Sequence, residues 1–181
     1  LRIAVLTISD AGARGERVDR SGDAASAWAA SGGHDVVARA IVPDDTVAIV
    51  RQLIGWCDAD IADLVLTTGG TGLSQRDVTP EATRAVVERD APGVSERLRM
   101  ATATFTPRSA LGRGAAGVRA RTLIVNLPGS PRGVTESLDA LAPIAEHAVA
   151  ILRGRPDDHE TATTGGPVRT AGASASESPH A

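Results

Sequence analysis

Aromatic side chains are almost missing from this chain: two Trp, one Phe and no Tyr amount to 2% of its 181 residues. The interior must therefore be built from Val, Ile, Leu and Ala, and little is left for stacking nucleic-acid bases. A basic field is lacking as well. Lys plus Arg number 19 against 22 Asp plus Glu, a formal charge of −3, so nothing draws a nucleic acid to the surface as a whole and none is expected as a partner. The single Cys57 excludes an intrachain disulfide, and it falls in a helical stretch where a buried thiol packs as a small hydrophobe. No apolar run approaches the ~20 residues of a membrane span, and the sequence opens on a strand-like segment without a signal-peptide pattern. A cytoplasmic protein is the expectation. His34, His147, His159 and His180 have no metal-ligand spacing, which argues against a zinc site.

What remains is ordinary for a soluble domain, with 42% hydrophobic and 23% charged residues. The length fits one domain plus a tail, enough to bury roughly 68–70% of the surface that the unfolded chain exposes. Residues 2–8 read RIAVLTI, a nearly continuous apolar run rich in β-branched residues, as expected of a strand covered on both faces. Similar runs recur at 35–42, 63–68 and 122–127. Between them lie helical patterns. The Ala-rich segment 21–31 is stopped by Gly32-Gly33, and 44–56 follows Pro43. Segment 79–89 has Thr79 as N-cap and Pro80 at its first position; 92–101 follows; and 130–153 is capped by Ser130 and opened by Pro131.

Strands alternating with helices predict an α/β domain, a mainly parallel sheet with helices on both faces. Residues 104–120, with Gly112, Gly114 and Gly117, read as a loop or a short extra strand. The domain is expected to span residues 1–153 and a disordered tail residues 154–181, because from Pro156 onward the only branched aliphatic is Val168. No internal repeat is visible.

In an open parallel sheet, ligands bind beyond the carboxyl ends of the strands, where loops are free to carry side chains and helix N-termini point at them. Each apolar run is followed there by chemically distinctive residues. Ser9 and Asp10 follow the first, and Pro43, Asp44 and Asp45 the second. Thr67 to Gly72, then Arg76 and Asp77, follow the third; Pro128, Gly129 and Ser130 follow the fourth. If the four strands are parallel, these loops line one rim and share a site.

The segment Thr67-Thr68-Gly69-Gly70-Thr71-Gly72 is the strongest signal. Its glycines permit positive φ and a close approach of backbone N–H groups to an anion, and its threonines add donors, so it reads as a phosphate cradle or as a tight turn. It is neither a P-loop nor a dinucleotide fingerprint. Asp44 and Asp77 each precede a helix, where a carboxylate is favoured by the helix dipole. Two carboxylates on adjoining loops beside a phosphate cradle also suit Mg²⁺, which takes one or two carboxylates together with substrate phosphates. The polar first loop carries Asp10, Arg14, Glu16, Arg17, Asp19, Ser21 and Gly22. The turn Pro128-Gly129-Ser130-Pro131 is either a plain cap or an anion site at a helix N-terminus. Arg76, Arg113 and Arg119 are candidate phosphate contacts, with exposed surface charge as the alternative.

Read in order, these loops resemble the molybdopterin adenylyltransferase family, the Mog-type proteins related to the cofactor-assembly domains of gephyrin and of its plant counterpart. The matching stretches are Thr7-Ile8-Ser9-Asp10, Asp19-Arg20-Ser21-Gly22, Val42-Pro43-Asp44-Asp45, Thr67 through Gly72, Arg76 through Ala82, Ala116-Gly117-Val118-Arg119 and Asn126 through Pro131. The similarity runs from residue 1 to about 153. It implies a three-layer α/β/α fold, a homotrimer, molybdopterin and Mg²⁺-ATP as ligands, other molybdenum-cofactor biosynthesis proteins as further partners, and transfer of AMP to the terminal phosphate of molybdopterin with release of pyrophosphate. It implies Asp44 and Asp77 as catalytic and metal-binding residues, with Ser9, Asp10, Thr68, Gly69, Gly70, Thr71, Gly72, Pro128, Gly129 and Ser130 as ligand-binding positions. Three departures stand out. Leu111-Gly112-Arg113 replaces the common Leu-Ser-Arg, Arg119-Ala120 the common Arg-Gly, and Ala11-Gly12 the usual Arg-Ala. The rival readings are a noncatalytic pterin-binding or scaffolding module of the MoaB-like branch, and a nucleotide hydrolase of the competence-damage type.

Overall fold

The computed structural model describes residues 1–155, and the expected tail lies outside the described residues from 156 onward. Three strands are buried along their whole length or nearly so: β1 (Arg2–Ile8), β3 (Leu64–Thr68) and β6 (Thr122–Leu127). Their continuous apolar character follows from that, since both faces of a central strand need cover. β2 (Asp35–Val42) alternates exposed and half-buried residues, as an edge strand does, and takes one end of the sheet. A two-residue β4 (Arg89–Asp90) and β5 (Ala116–Arg119) complete the order β2-β1-β3-β6-β5-β4. The first four of these are parallel, and the β6-β5-β4 end is antiparallel. Ile8 pairs with Val42, Thr7 with Thr68, and Thr68 with Leu127, so the four parallel strands end level with one another.

Two apolar layers flank this sheet. On one face Ile3, Val5, Leu64, Leu66, Leu123 and Val125 meet α2 (Arg20–Ser31), α5 (Pro92–Ala103) and α6 (Pro131–Leu152) through Ala25, Ala29, Leu98, Leu138 and Leu141. On the other, Ala4, Leu6, Val65 and Ile124 meet α3 (Thr46–Asp58) and α4 (Thr79–Val86) through Ile49, Leu53, Ala82 and Val86. The predicted three-layer α/β/α architecture is thus present. Residues of opposite parity along each strand feed opposite layers. Truncating a buried side chain such as Leu138 to Ala costs about 2–5 kcal/mol. Cys57 belongs to the second layer, and burial pushes its thiol up to about 11, which keeps it protonated and inert.

Boundaries differ from the sequence expectation where side-chain chemistry intervenes. α3 begins at Thr46 rather than at residue 44, because the Asp45 carboxylate accepts the N–H of Ala48 at 2.8 Å and caps the helix, leaving Asp44 in the loop. Thr79 is not an N-cap. Its hydroxyl donates to the Gly69 carbonyl at 2.9 Å, and the helix starts without a side-chain cap. α4 also stops at Val86 instead of residue 89, since Glu88 N–H donates to Val118 O and the chain joins the sheet as β4. The region 104–120 holds a 3-10 helix (Pro107–Leu111) before β5. The first loop contains a short α1 (Asp10–Ala13), capped by the Ser9 hydroxyl, that the sequence pattern does not mark.

Candidate active site at the carboxyl rim of the sheet

All four distinctive loops reach the same rim, as the parallel register requires. Gly69 has φ +96° and would place a Cβ 2.2 Å from the carbonyl oxygen of Ile8; Gly70 has φ +61° and would place one 2.4 Å from the Thr79 hydroxyl. Neither position admits a side chain. The glycine segment therefore lies flat across the end of β1, fastened by Thr79 from α4. Thr68 donates its hydroxyl to Pro128 O at 2.7 Å, and Gly129 lies so close to Gly69 that a Cβ there would sit 3.2 Å from the Gly69 Cα. The third and fourth loops are thereby joined. Below them Asn126 donates to the hydroxyls of Thr67 and Thr83, each at 2.9 Å, and accepts the Ala115 N–H, a fully buried polar network that ties β6 to β3, α4 and the approach to β5.

Asp44 and Asp77 flank the glycine segment. One Asp44 oxygen accepts the Asp10 N–H at 2.8 Å, while the other points at Gly70, 3.3 Å from where a Cβ would stand. Asp77 accepts the Ser74 N–H at 2.8 Å through the oxygen that abuts Gly72. Neither carboxylate acts as the simple helix-dipole decoration that sequence alone allowed. The N–H groups of Gly70, Thr71 and Gly72 donate to no partner among the described residues, so they remain available to an anion. Ser130 caps α6, accepting the Gly133 N–H at 3.1 Å.

Two cavities open on either side of this segment. One, of about 750 Å³, is polar and lined by Thr7, Ser9, Asp44, Gly69, Gly70 and Gly129 together with the first loop. The other, of about 540 Å³, has apolar walls of Leu98, Phe105, Leu111 and Leu127, and is reached by Thr71, Gly72, Pro128 and Ser130. The expected ligand-binding positions thus divide between two chambers that share the glycine loop as a partition. Thr68 and Asp10 line neither; they hold Pro128 and Asp44 in place.

The chain has no lysine, so its 19 fixed cations are all guanidinium groups. The three that the sequence singled out are already committed. Arg76 donates to both oxygens of Asp10, at 2.8 and 2.7 Å. Arg113 pairs with Glu81 and holds that carboxyl below the usual carboxylate range. Arg119 is a correction. β5 runs antiparallel, so Arg119 sits opposite Thr122 at the far rim, paired with Asp58, and cannot reach the site. By contrast Arg17 and Arg20 line the polar cavity and have no acidic partner among the described residues. Sequence reasoning placed them only in a polar loop and a motif. Their signal was two cations close to Asp19, whose buried carboxylate caps α2 and turns that loop over the cavity.

Among the described residues no three acidic, His or Cys side chains lie together as a preformed metal cage. Asp44, with one oxygen free of hydrogen bonds and facing Gly70, and Asp77, beside Gly72, offer the one or two carboxylate contacts that a phosphate-borne Mg²⁺ uses. The donor set fits an ion that arrives with its phosphates.

Comparison with known proteins agrees with this geometry. Residues 4–147 match the family described as "Probable molybdopterin binding domain". The chain is 38% identical over 164 residues to the molybdopterin adenylyltransferase of Helicobacter pylori, covering 85% of this chain and 89% of that relative. Among solved structures it is similar to the molybdopterin biosynthesis enzyme MoaB from Thermus thermophilus, at 48% identity and a TM-score of 0.81 over 86% of this chain and 98% of that one. It is also similar to the molybdopterin biosynthesis Mog protein from Mycobacterium ulcerans, at 36% identity and a TM-score of 0.78 over 83% and 98%. Motifs, fold and relatives converge, and the chain belongs to the molybdopterin-binding domain family of molybdenum-cofactor biosynthesis.

Proposed function

We propose that this chain is a molybdopterin adenylyltransferase, joining AMP from ATP to the terminal phosphate of molybdopterin and releasing pyrophosphate. The observation that carries this reading is the partition itself: free backbone amides between an apolar and a polar cavity, with Asp44 on one side and Asp77 beside Gly72. A flat pterin suits apolar walls, and a triphosphate suits the polar chamber with Arg17 and Arg20. The two reacting phosphates then meet over the glycine loop. An oxygen of the molybdopterin phosphate attacks the α-phosphorus of ATP as the bond from that phosphorus to the pyrophosphate oxygen breaks. The attacking phosphate is already ionised at neutral pH, so positioning and charge stabilisation matter more than a strong base.

The chain's contribution is to orient both anions on the amides of residues 70–72 and to offset their repulsion. Asp44 and Asp77 would hold Mg²⁺, which supplies further charge neutralisation when bound. No helix among the described residues is long and apolar enough to cross a membrane. A cytoplasmic homotrimer handing its product to other molybdenum-cofactor biosynthesis proteins completes the reading, on the strength of the family resemblance. The test is pyrophosphate release from ATP and molybdopterin by the purified protein. Release that requires the pterin supports the proposal; pterin binding without release leaves a noncatalytic module, and pterin-independent turnover of ATP a hydrolase.

A further inference from the structure

Arg113 stands out among the cations because it grips backbone rather than ligand space. Its own N–H donates to Thr71 O at 2.9 Å, and its Nε donates to Gly72 O at 2.6 Å. One terminal nitrogen donates to Asp77 O and the other to the Glu81 carboxylate. Gly72 and Asp77, 41 and 36 positions before Arg113, are thus held by one planar group. In a trans peptide the C=O and the following N–H point in opposite directions. Fixing the Thr71 and Gly72 carbonyls toward Arg113 therefore turns the Gly72 and Leu73 N–H groups away from it. Fixing Asp77 O sets where the Asp77 carboxylate begins. Meanwhile Gly112 and Gly114, on either side of Arg113, line the apolar cavity.

We propose that Arg113 is a positioning residue for adenylyl transfer, aligning the glycine-loop amides with Asp77 from the wall of the apolar cavity. The proposal rests on the adenylyltransferase reading for its kinetic test but not for its structural one. With Nε and both terminal nitrogens engaged on Gly72 O, Asp77 O and Glu81, the guanidinium is turned toward the groups it holds and works through them. Glu81 keeps the fork in plane by pairing with its outer edge, which explains an acid at that place in α4. Lysine offers a point charge in place of the fork and cannot hold two carbonyls and a carboxylate together.

Arg113→Lys and Arg113→Gln test this. In steady-state assays both variants are expected to lose at least ~10-fold in kcat, while KM for ATP and for molybdopterin changes less than ~3-fold, the signature of misplacement rather than lost binding. In ligand-free protein, hydrogen–deuterium exchange at residues 70–73 is expected to quicken relative to wild type, with exchange in β1 and β6 unchanged. Glu81→Gln, which leaves the carbonyl contacts in place, is expected to fall between wild type and Arg113→Gln. Wild-type kcat in both Arg113 variants, or unchanged loop exchange, overturns the proposal. So does an activity loss that tracks the folded fraction alone. Should wild-type protein release no pyrophosphate, the adenylyltransferase reading falls, and loop exchange still decides the role of Arg113.

Discussion

Asp10 and Asp44, 34 residues apart, hold each other by exchange: the Asp10 N–H donates to an Asp44 oxygen at 2.8 Å, and the Asp44 N–H donates to an Asp10 oxygen at 3.0 Å. This joins the loop after β1 to the loop after β2 and leaves one Asp44 oxygen directed at Gly70. Arg76 closes the arrangement from the third loop by donating to both Asp10 oxygens. The Arg76 hydrogen bond, then the Asp44 N–H, holds the Asp10 carboxyl below its ordinary range. A carboxylate depressed by folding contributes above its unfolded pKa of about 3.9, and the contribution is lost as pH falls through the lower folded value. The bonds that the Asp10 carboxylate accepts should therefore persist unchanged across about pH 5–8. An NMR titration of the Asp10 carboxyl carbon is expected to show a midpoint below about 3.9 that rises in Arg76→Gln. A wild-type midpoint at or above the ordinary value contradicts the arrangement.

Asp77→Asn keeps the shape and the acceptor for Ser74 N–H but removes the charge beside Gly72. The fold is expected to stay intact and adenylylation to drop by at least ~10²-fold, the scale of losing one strong electrostatic contributor. Circular dichroism and a pyrophosphate-release assay on the purified variant check the two halves together. Near-normal turnover would show that the carboxylate is not needed.

Much of this was legible in sequence because parallel strands convert position into proximity. The four runs and the residues after them sufficed to place Ser9, Asp44, Gly70 and Gly129 on one rim, with no knowledge of the helices beyond their existence. Asp45 against Asp44 was not legible. Two adjacent acids precede the same helix, and only backbone torsion decides which one caps it. Thr79 misled for a related reason, since a hydroxyl before Pro reads as a cap whether it bonds to its own helix or across to Gly69. Arg119 was misplaced because β5 has no sequence mark of its antiparallel direction. The division into two cavities depends on how the 3-10 helix lies over α5 and α6, a tertiary matter that no local pattern encodes.

At the opposite rim Arg153, at the end of α6, pairs with Asp63 at 2.8 Å, and both side chains are nearly buried, at 6% and 7% exposure. Burial alone would raise the Asp63 pKa. The N–H and guanidinium of Arg2 and the charge of Arg153 outweigh it, and the carboxyl is held below its usual range. Arg153→Ala leaves a buried carboxylate with Arg2 as its remaining partner, and about 3 kcal/mol of stability should be lost at neutral pH. Because the folded pKa is depressed, this stabilisation is present above about pH 4 and lost on acidification. Urea denaturation at pH 7 and pH 3 is therefore expected to show a smaller gap between wild type and variant at the lower pH. An equal gap at both would mean that the pair is not ionic.

Ala120 occupies a left-handed conformation, φ +50°, as the first of two residues in the turn that joins β5 to β6. Arg121 does not share the positive φ, so the strain of this two-residue hairpin turn falls on Ala120, where a positive φ favours glycine. An L-residue there costs about 1–2 kcal/mol, and the extra freedom of an unfolded glycine gives back about 0.4–1 kcal/mol of any relief. Ala120→Gly is thus expected to stabilise the domain by about 0.5–1 kcal/mol, read as a higher midpoint at constant m-value in denaturant unfolding. The turn lies on the far rim from the glycine loop, so kcat should not move with stability. Glycine keeps the bond from the residue-120 N–H to Glu88 at 3.0 Å, so a lowered midpoint would show that the Ala120 methyl supplies more than the strained torsion takes away.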